Sequence, residues 1–168
     1  MPFDAQPTLA GDLLSLRPLR PDDFDDLYAV ASDPLIWQQH PARDRFQVPV
    51  FRALFDEFIA TAGTLIASDR ATARVVGSSR YHGYDAERSE VEIGWSFLAR
   101  SHWGGRYNGE MKRLMLDHAF RFVDNVVFMI GADNIRSQIA VQRIGAVPAG
   151  SRLNEQGQPR LVFQLRKP

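Results

Sequence analysis

The chain has 168 residues, 45% of them hydrophobic and 24% charged, and its 20 basic and 20 acidic side chains give a formal net charge of zero. This length and composition are typical of one globular domain with a substantial core, so we expect a single domain over residues 1–168. The balanced charge argues against a dedicated nucleic-acid or anionic-membrane binder, and the absence of cysteine excludes disulfides and thiolate chemistry.

The sequence also disfavours metal binding and export. The four histidines, His40, His82, His102 and His118, lack the spacing of metal ligands. The first residues lack the basic and apolar segments of a signal peptide, and no apolar run approaches the ~20 residues of a membrane span. We therefore expect a cytoplasmic protein with no metal and no membrane partner.

In chain order, the first half predicts one strand, two helices and three further strands. Alternating side chains over residues 13–20 are typical of an edge strand, and Pro21 followed by a cluster of aspartates favours the start of a helix. A second helix is predicted over residues 50–62. The strands that follow, over residues 64–69, 73–82 and 90–98, predict an antiparallel meander joined by short turns.

The second half predicts one β-α-β crossover followed by a further helix and a hairpin. Its elements are a helix over residues 107–123, a strand over 126–130, a helix over 134–144 and strands over 147–153 and 160–165. The long helix turns an apolar stripe that includes Met111 and Met115 inward and Lys112 outward. The whole order is an α+β plan with a mixed, mostly antiparallel sheet.

A glycine-rich segment over residues 100–110 leads into the long helix. A turn of this kind lets backbone N–H groups converge on an anion at a helix N-terminus, where the helix dipole favours negative charge. Arg106 adds full positive charge. The spacing of Gly104, Gly105 and Gly109 fits neither the dinucleotide fingerprint nor the P-loop, yet the segment predicts a pyrophosphate site.

Several segments together carry a family resemblance. They are Leu16-Arg-Pro-Leu-Arg-Pro-Asp-Asp-Phe24, Val91-Glu-Ile-Gly-Trp95, Trp103-Gly-Gly-Arg-Tyr-Asn-Gly-Glu110, and Asn134-Ile-Arg-Ser137 followed by Gln142-Arg-Ile-Gly-Ala146. In this order they resemble motifs of the GNAT superfamily of acetyl-CoA-dependent N-acetyltransferases, in the branch related to ribosomal-protein N-terminal (alanine/serine) acetyltransferases. The resemblance covers nearly the whole chain. It implies the GNAT fold, with two central strands splayed apart and flanked by helices, and acetyl-CoA as co-substrate.

The resemblance also implies the residues that contact the cofactor. They are Phe97, Leu98, Ala99, Trp103, Gly104, Gly105, Arg106, Tyr107, Asn108, Asn134 and Ser137. The first three would follow pantetheine where the strands splay, and the loop residues would hold the pyrophosphate. Arg106 replaces a glycine of the family loop, so its side chain either pairs with a phosphate or points outward. Val141 stands where many members carry the tyrosine that protonates the leaving thiolate.

The family reaction implies an unprotonated amine that attacks the thioester directly in a ternary complex. Glu92 is the candidate general base, acting through water. In the alternative interpretation Glu92 is only a strand carboxylate that faces solvent or pairs with a structural arginine. Glu90, two residues away on the same face, is expected to have such a structural role. Ser137 is the candidate partner of the thiolate, with a first-turn helix residue as its alternative, while Asn134 can both contact cofactor and cap a helix.

The acceptor side is expected near Trp37, Tyr81 and His82. A histidine there could titrate near neutral pH, whereas the alternative makes the strand residues ordinary hairpin surface and Trp37 a cover of the core. The resulting hypothesis is an N-acetyltransferase that modifies a primary amine, either a protein N-terminus or a small amine. The alternative is a non-catalytic GNAT-fold module that binds or senses acyl-CoA. Dimerisation is common among relatives, but no sequence feature demonstrates a homodimer.

Overall fold

Within residues 2–168, which the computed structural model describes, one sheet of eight strands runs through the molecule. The strands are β1 (Leu9–Ala10), β2 (Leu14–Pro18), β3 (Thr64–Asp69), β4 (Val75–Asp85), β5 (Glu90–Leu98), β6 (Asn125–Ile130), β7 (Val147–Leu153) and β8 (Pro159–Arg166). The helices are α1 (Phe24–Ala31), α2 (Val48–Thr61), α3 (Arg106–Ala119) and α4 (Ile135–Arg143). The spatial order is β1-β2-β3-β4-β5-β6-β8-β7.

The central pair β5 and β6 is the only parallel pair in this part of the chain, because α3 carries the chain over the sheet between them. The two strands are paired only from Glu90–Asn125 to Glu92–Val127. Beyond Glu92, β5 continues to Leu98 without a partner on this side, while its other edge stays paired with β4. The sheet therefore splits between β5 and β6.

Apolar side chains form one core on each face of the sheet. Helices α3 and α4 close the first core, in which Met111 and Met115 pack with Val91 and Ile93 of β5. Helices α1 and α2 close the second core, which is dominated by aromatic rings such as Phe51. Each helix thus buries an apolar stripe against the sheet, which is the layered packing that an α+β domain requires.

The predicted fold class and element order are confirmed, with β1 as an additional short strand. The prediction for Lys112 was wrong, because this side chain is buried under the sheet rather than exposed. Positions 112 and 116 lie one turn apart and are both buried, so the buried face of α3 is wider than the predicted apolar stripe. The prediction placed Lys112 in solvent because it is charged, and that rule failed here. No helix within residues 2–168 has the length and hydropathy of a membrane span.

Candidate active site

A cleft of about 480 Å³ opens where β5 and β6 separate. Its walls are the end of β5, the glycine-rich loop, the start of α3 and one side of α4. Of the residues predicted to contact cofactor, Phe97, Leu98, Trp103, Gly104, Gly105, Asn108, Asn134 and Ser137 line it. We call it the cofactor cleft. The structure therefore gathers into one cavity residues that are up to forty positions apart in the sequence.

The loop before α3 is held in shape by its backbone and by Trp103. Gly104 and Gly105 have φ of 113° and 97°, a conformation that favours glycine. The indole Nε1 of Trp103 donates to the carbonyl of Leu98 at 2.9 Å, and the Arg136 guanidinium lies 4.0 Å from the ring centroid. The N-terminus of α3 is thereby directed at the cleft with its backbone N–H groups free of side-chain caps.

Three predicted cofactor contacts do not line the cleft. Arg106 is exposed as the first residue of α3, Tyr107 packs on His102 with ring centroids 4.5 Å apart, and Ala99 lines a separate groove beside α1. The cleft instead takes its positive charge from Arg136 and Arg143 of α4. Sequence reasoning missed both because the loop and α4 meet only in the folded chain.

Asn134 and Ser137 place polar groups at the inner end of the cleft. Asn134 is buried, and its Oδ1 has no hydrogen-bond partner among residues 2–168. Asn134 occupies the N-cap position of α4, as the alternative expected, but its side chain forms no capping hydrogen bond. A buried amide oxygen without a partner is costly unless a ligand donates to it, which fits an amide-bearing arm such as pantetheine.

A small cavity of about 130 Å³ continues from the cofactor cleft between β5 and β6. We call it the throat. Ser137, Val141 and Lys112 line it, together with Ser96 of β5. Val141 is buried and offers no proton, whereas the Lys112 ammonium group donates to the hydroxyls of Ser96 and Ser79. Burial lowers the pKa of Lys112 to about 7.

On the other side of the throat lies a cavity of about 810 Å³, which we call the acceptor pocket. Glu92 and His82, neighbours across β4 and β5, both line it. Within residues 2–168, Glu92 forms no hydrogen bond or ion pair, and burial raises its pKa to about 7 against the opposing effect of Arg80. Glu90 instead forms a bidentate pair with Arg152 at 2.6 and 3.1 Å, which is the structural role expected of it.

Two of the residues predicted to bind acceptor lie elsewhere. Tyr81 is buried in the core on the opposite face, and its hydroxyl donates to the Met115 carbonyl at 2.6 Å, so this prediction was wrong. Successive strand residues point to opposite faces, and His82 takes the pocket face. Trp37 lines the cofactor cleft and throat rather than the acceptor pocket, and its Nε1 donates to the Ala31 carbonyl.

Three cavities that share lining residues thus follow one another through the split sheet. Residues 14–147 match the family model of the acetyltransferase (GNAT) domain. The chain belongs to the GNAT acetyltransferase family, and this membership supports acetyl-CoA-dependent acetyl transfer.

Solved structures share the fold at low identity. An acetyltransferase of the GNAT family from Bacillus anthracis has a TM-score of 0.78 at 15% identity and covers 95% of this chain and 98% of its own. Spermidine N-acetyltransferase from Vibrio cholerae, solved with CoA and spermine, has a TM-score of 0.70 at 14% identity and covers 93% of this chain and 96% of its own. RimJ from Mycobacterium smegmatis, solved with CoA-disulfide, has a TM-score of 0.71 at 16% identity and covers 95% of this chain and 87% of its own. No curated protein matches the sequence. These likenesses establish the fold, and the resemblance to the ribosomal-protein branch stays a prediction.

Proposed function

We propose that the chain is an N-acetyltransferase that moves an acetyl group from acetyl-CoA to a primary amine by direct transfer in a ternary complex. The observation that carries this proposal is the continuity of the cofactor cleft, the throat and the acceptor pocket, with the half-buried carboxylate of Glu92 at the acceptor end. Separate cavities let the two substrates bind at the same time, as a ternary complex requires.

The residues of the cleft fit acetyl-CoA. Gly104, Gly105 and the N-terminus of α3 would hold its phosphates, with Arg143 beside them, and the unpartnered Asn134 amide would hold its pantetheine arm. When bound, acetyl-CoA supplies a thioester carbonyl that an unprotonated amine can attack. The cleft's role is to hold that group at the throat and to limit its exposure to water.

Glu92 is proposed as the general base that removes a proton from the amine, directly or through one water. A carboxylate whose pKa is raised to about 7 is partly protonated near neutral pH and is a stronger base than an exposed glutamate. Ser137 is proposed to donate a hydrogen bond to the leaving sulfur from the throat. The proposed site is complete within one chain, so it serves a cytoplasmic monomer or homodimer equally.

The second candidate function is a non-catalytic module that binds acyl-CoA. The observation that favours it is the buried Val141 in the throat, where no tyrosine is present to protonate a thiolate. The two functions share the cofactor cleft and differ only in turnover.

Calorimetric titration tests the cleft. We expect acetyl-CoA and desulfo-CoA to bind in the micromolar range and ADP more weakly. Arg143→Gln should weaken acetyl-CoA binding about tenfold, because its guanidinium faces the loop glycines, and the matched Arg106→Gln should change it less than about twofold. The opposite order would restore Arg106 as the phosphate contact. Absence of binding to all three ligands would refute the proposed function.

Thiol release with a panel of primary amines separates the two candidates. Turnover that Glu92→Gln abolishes while acetyl-CoA binding persists is the result expected of the enzyme. A protein that binds acetyl-CoA but releases no thiol with any amine is the binding module instead.

A further inference from the structure

The acceptor pocket is lined by nine charged side chains and two histidines, and six of the charged side chains are paired, Glu57 with an arginine from outside the lining. The pairs are Glu90 with Arg152 at 2.6 Å, Asp85 with Arg88 at 3.7 Å, Glu57 with Arg80 at 3.5 Å and Glu155 with His82 at 2.5 Å. The groups left over among residues 2–168 are the carboxylate of Glu92 and the guanidinium groups of Arg45 and Arg160. The pocket thus offers one unpaired carboxylate and two unpaired guanidinium groups.

The two unpaired arginines lie near His40, and all three residues line both the acceptor pocket and the throat. The Arg160 guanidinium donates only to neutral oxygens, the carbonyl of Pro159 at 2.9 Å and the side-chain Oε1 of Gln158 at 3.1 Å. The nearest carboxylates to Arg45, those of Asp44 and Glu57, form no ion pair with it.

His40 adds a third donor to this group. Its Nδ1 accepts from the backbone N–H of Ala42 at 2.9 Å, so the neutral ring carries its proton on Nε2. Burial and the nearby Arg45 and Arg160 lower the pKa of His40 to about 3, which keeps the ring neutral. Its Nε2–H and the Arg45 Nη1, 3.3 Å apart, are therefore both donors, and they share no acceptor between them. Donors arranged in this way are satisfied by an anion.

Resting on the proposed function, we infer that the acceptor is a small amine that also carries a carboxylate, with the amine at Glu92 and the carboxylate at His40, Arg45 and Arg160. An amino acid of this kind bears one group of each sign, and the unpaired groups of the pocket complement both. A partly buried guanidinium recognises a carboxylate through short, charge-assisted hydrogen bonds, which gives specificity as well as affinity.

The same charges disfavour two other amine classes. A polyamine with one amine at Glu92 would bring its further positive charges against Arg45 and Arg160, where no other unpaired carboxylate is left to meet them. A basic protein N-terminus would meet the same repulsion, and apart from Glu92 the carboxylates that could attract it already bind Arg80, Arg88, Arg152 or His82. Discrimination of this kind arises from unpaired like charges as much as from attraction.

The test compares amines that differ only in the carboxylate. Glycine, phenylalanine and 4-aminobutyrate are each assayed beside the corresponding carboxamide by thiol release, with rates expressed per unprotonated amine, and spermine and an Ala-initiated peptide complete the panel. We expect kcat/KM to favour at least one acid over its amide by about tenfold or more, mainly through KM. Arg160→Gln and Arg45→Gln should each lower kcat/KM for the acid far more than for its amide, and so remove most of that preference.

The matched control is Arg43→Gln, an exposed arginine on the same loop that lies outside the pocket. It should retain the acid preference. Equal use of acids and amides, a preference for spermine or the peptide, or a preference that survives both arginine substitutions would overturn the inference while leaving acetyl transfer intact.

A binding measurement separates this inference from the proposed function. If no amine releases thiol, the acids are titrated calorimetrically into the CoA-saturated protein. Binding that is lost in Arg160→Gln supports the carboxylate site even without turnover, and failure of every acid to bind refutes it.

Discussion

Glu92 stands without a partner beside His82, and its raised pKa of about 7 predicts a pH dependence. A general base acts only when deprotonated, so kcat/KM per unprotonated amine should rise through about pH 7 and then level off. Glu92→Gln should abolish this rise and lower the plateau by about 10²- to 10⁴-fold. The measurement is a pH–rate profile by thiol release.

Glu90→Gln is the comparison variant for that profile, because Glu90 is two residues away on the same strand but already bound to Arg152. It should keep the rise near pH 7 whatever its effect on rate. A rise that persists in Glu92→Gln would assign the base to another group.

The burial of Lys112 leads to a second prediction for a single residue, which concerns the stability of the fold. Burial lowers its pKa from 10.5 to about 7, so between these values the unfolded chain binds more protons than the folded one. The contribution of this group to the free energy of unfolding therefore rises with pH between about 7 and 10.5. Lys112→Met keeps the length of the side chain and removes its charge.

This substitution should raise the free energy of unfolding at pH 7 by on the order of 1 kcal/mol and flatten the rise at higher pH. Ser79 and Ser96 remain hydrogen-bonded to each other at 2.7 Å, so no new buried group is left unpaired. Urea denaturation at pH 7 and pH 9.5 measures both effects. A variant less stable than wild type at pH 7 would show that the ammonium group stabilises the fold.

At the scale of elements, α3 is tied to the start of β2 by one carboxylate. Glu110 accepts from the backbone N–H groups of Asp12, Leu13 and Leu14 at 2.9, 2.8 and 2.7 Å. Glu110→Ala leaves these donors without a protein partner and should cost about 2–3 kcal/mol in the free energy of unfolding. Chemical denaturation measures it, with the exposed Asp117→Ala on the same helix as control. Equal effects of the two substitutions would refute the assigned role of Glu110.

The element that organises the site is β5. Its first three residues join the two halves of the sheet, and its last residues line the cofactor cleft. Alternation and β-branched residues predict this strand correctly over residues 90–98. The point at which it leaves β6 depends on how far β6 and the helices beside it allow pairing, so local sequence could not locate the split.

At the scale of the whole molecule, zero net charge conceals an uneven distribution. Most acids and bases of the acceptor pocket cancel in pairs that join distant segments, such as Glu90 with Arg152. Composition gives the sum of the charges but is silent about which charges remain unpaired inside a pocket. The unpaired set of Glu92, Arg45 and Arg160 exists only because β5, the loop after residue 37 and β8 converge.

The sequence by itself determined the α+β order, the glycine-rich turn at the start of α3 and the family motifs, because these depend on local periodicity and backbone conformation. Its resemblance to the family also led to the prediction that Gly104, Asn134 and Glu92 belong to one site. Only the tertiary structure decided that Arg143 rather than Arg106 lines the cofactor cleft, that Tyr81 belongs to the core and that Lys112 is buried. The reason is that the direction of a side chain, its burial and its charge partners are set by segments far away in the chain, which a local pattern does not contain.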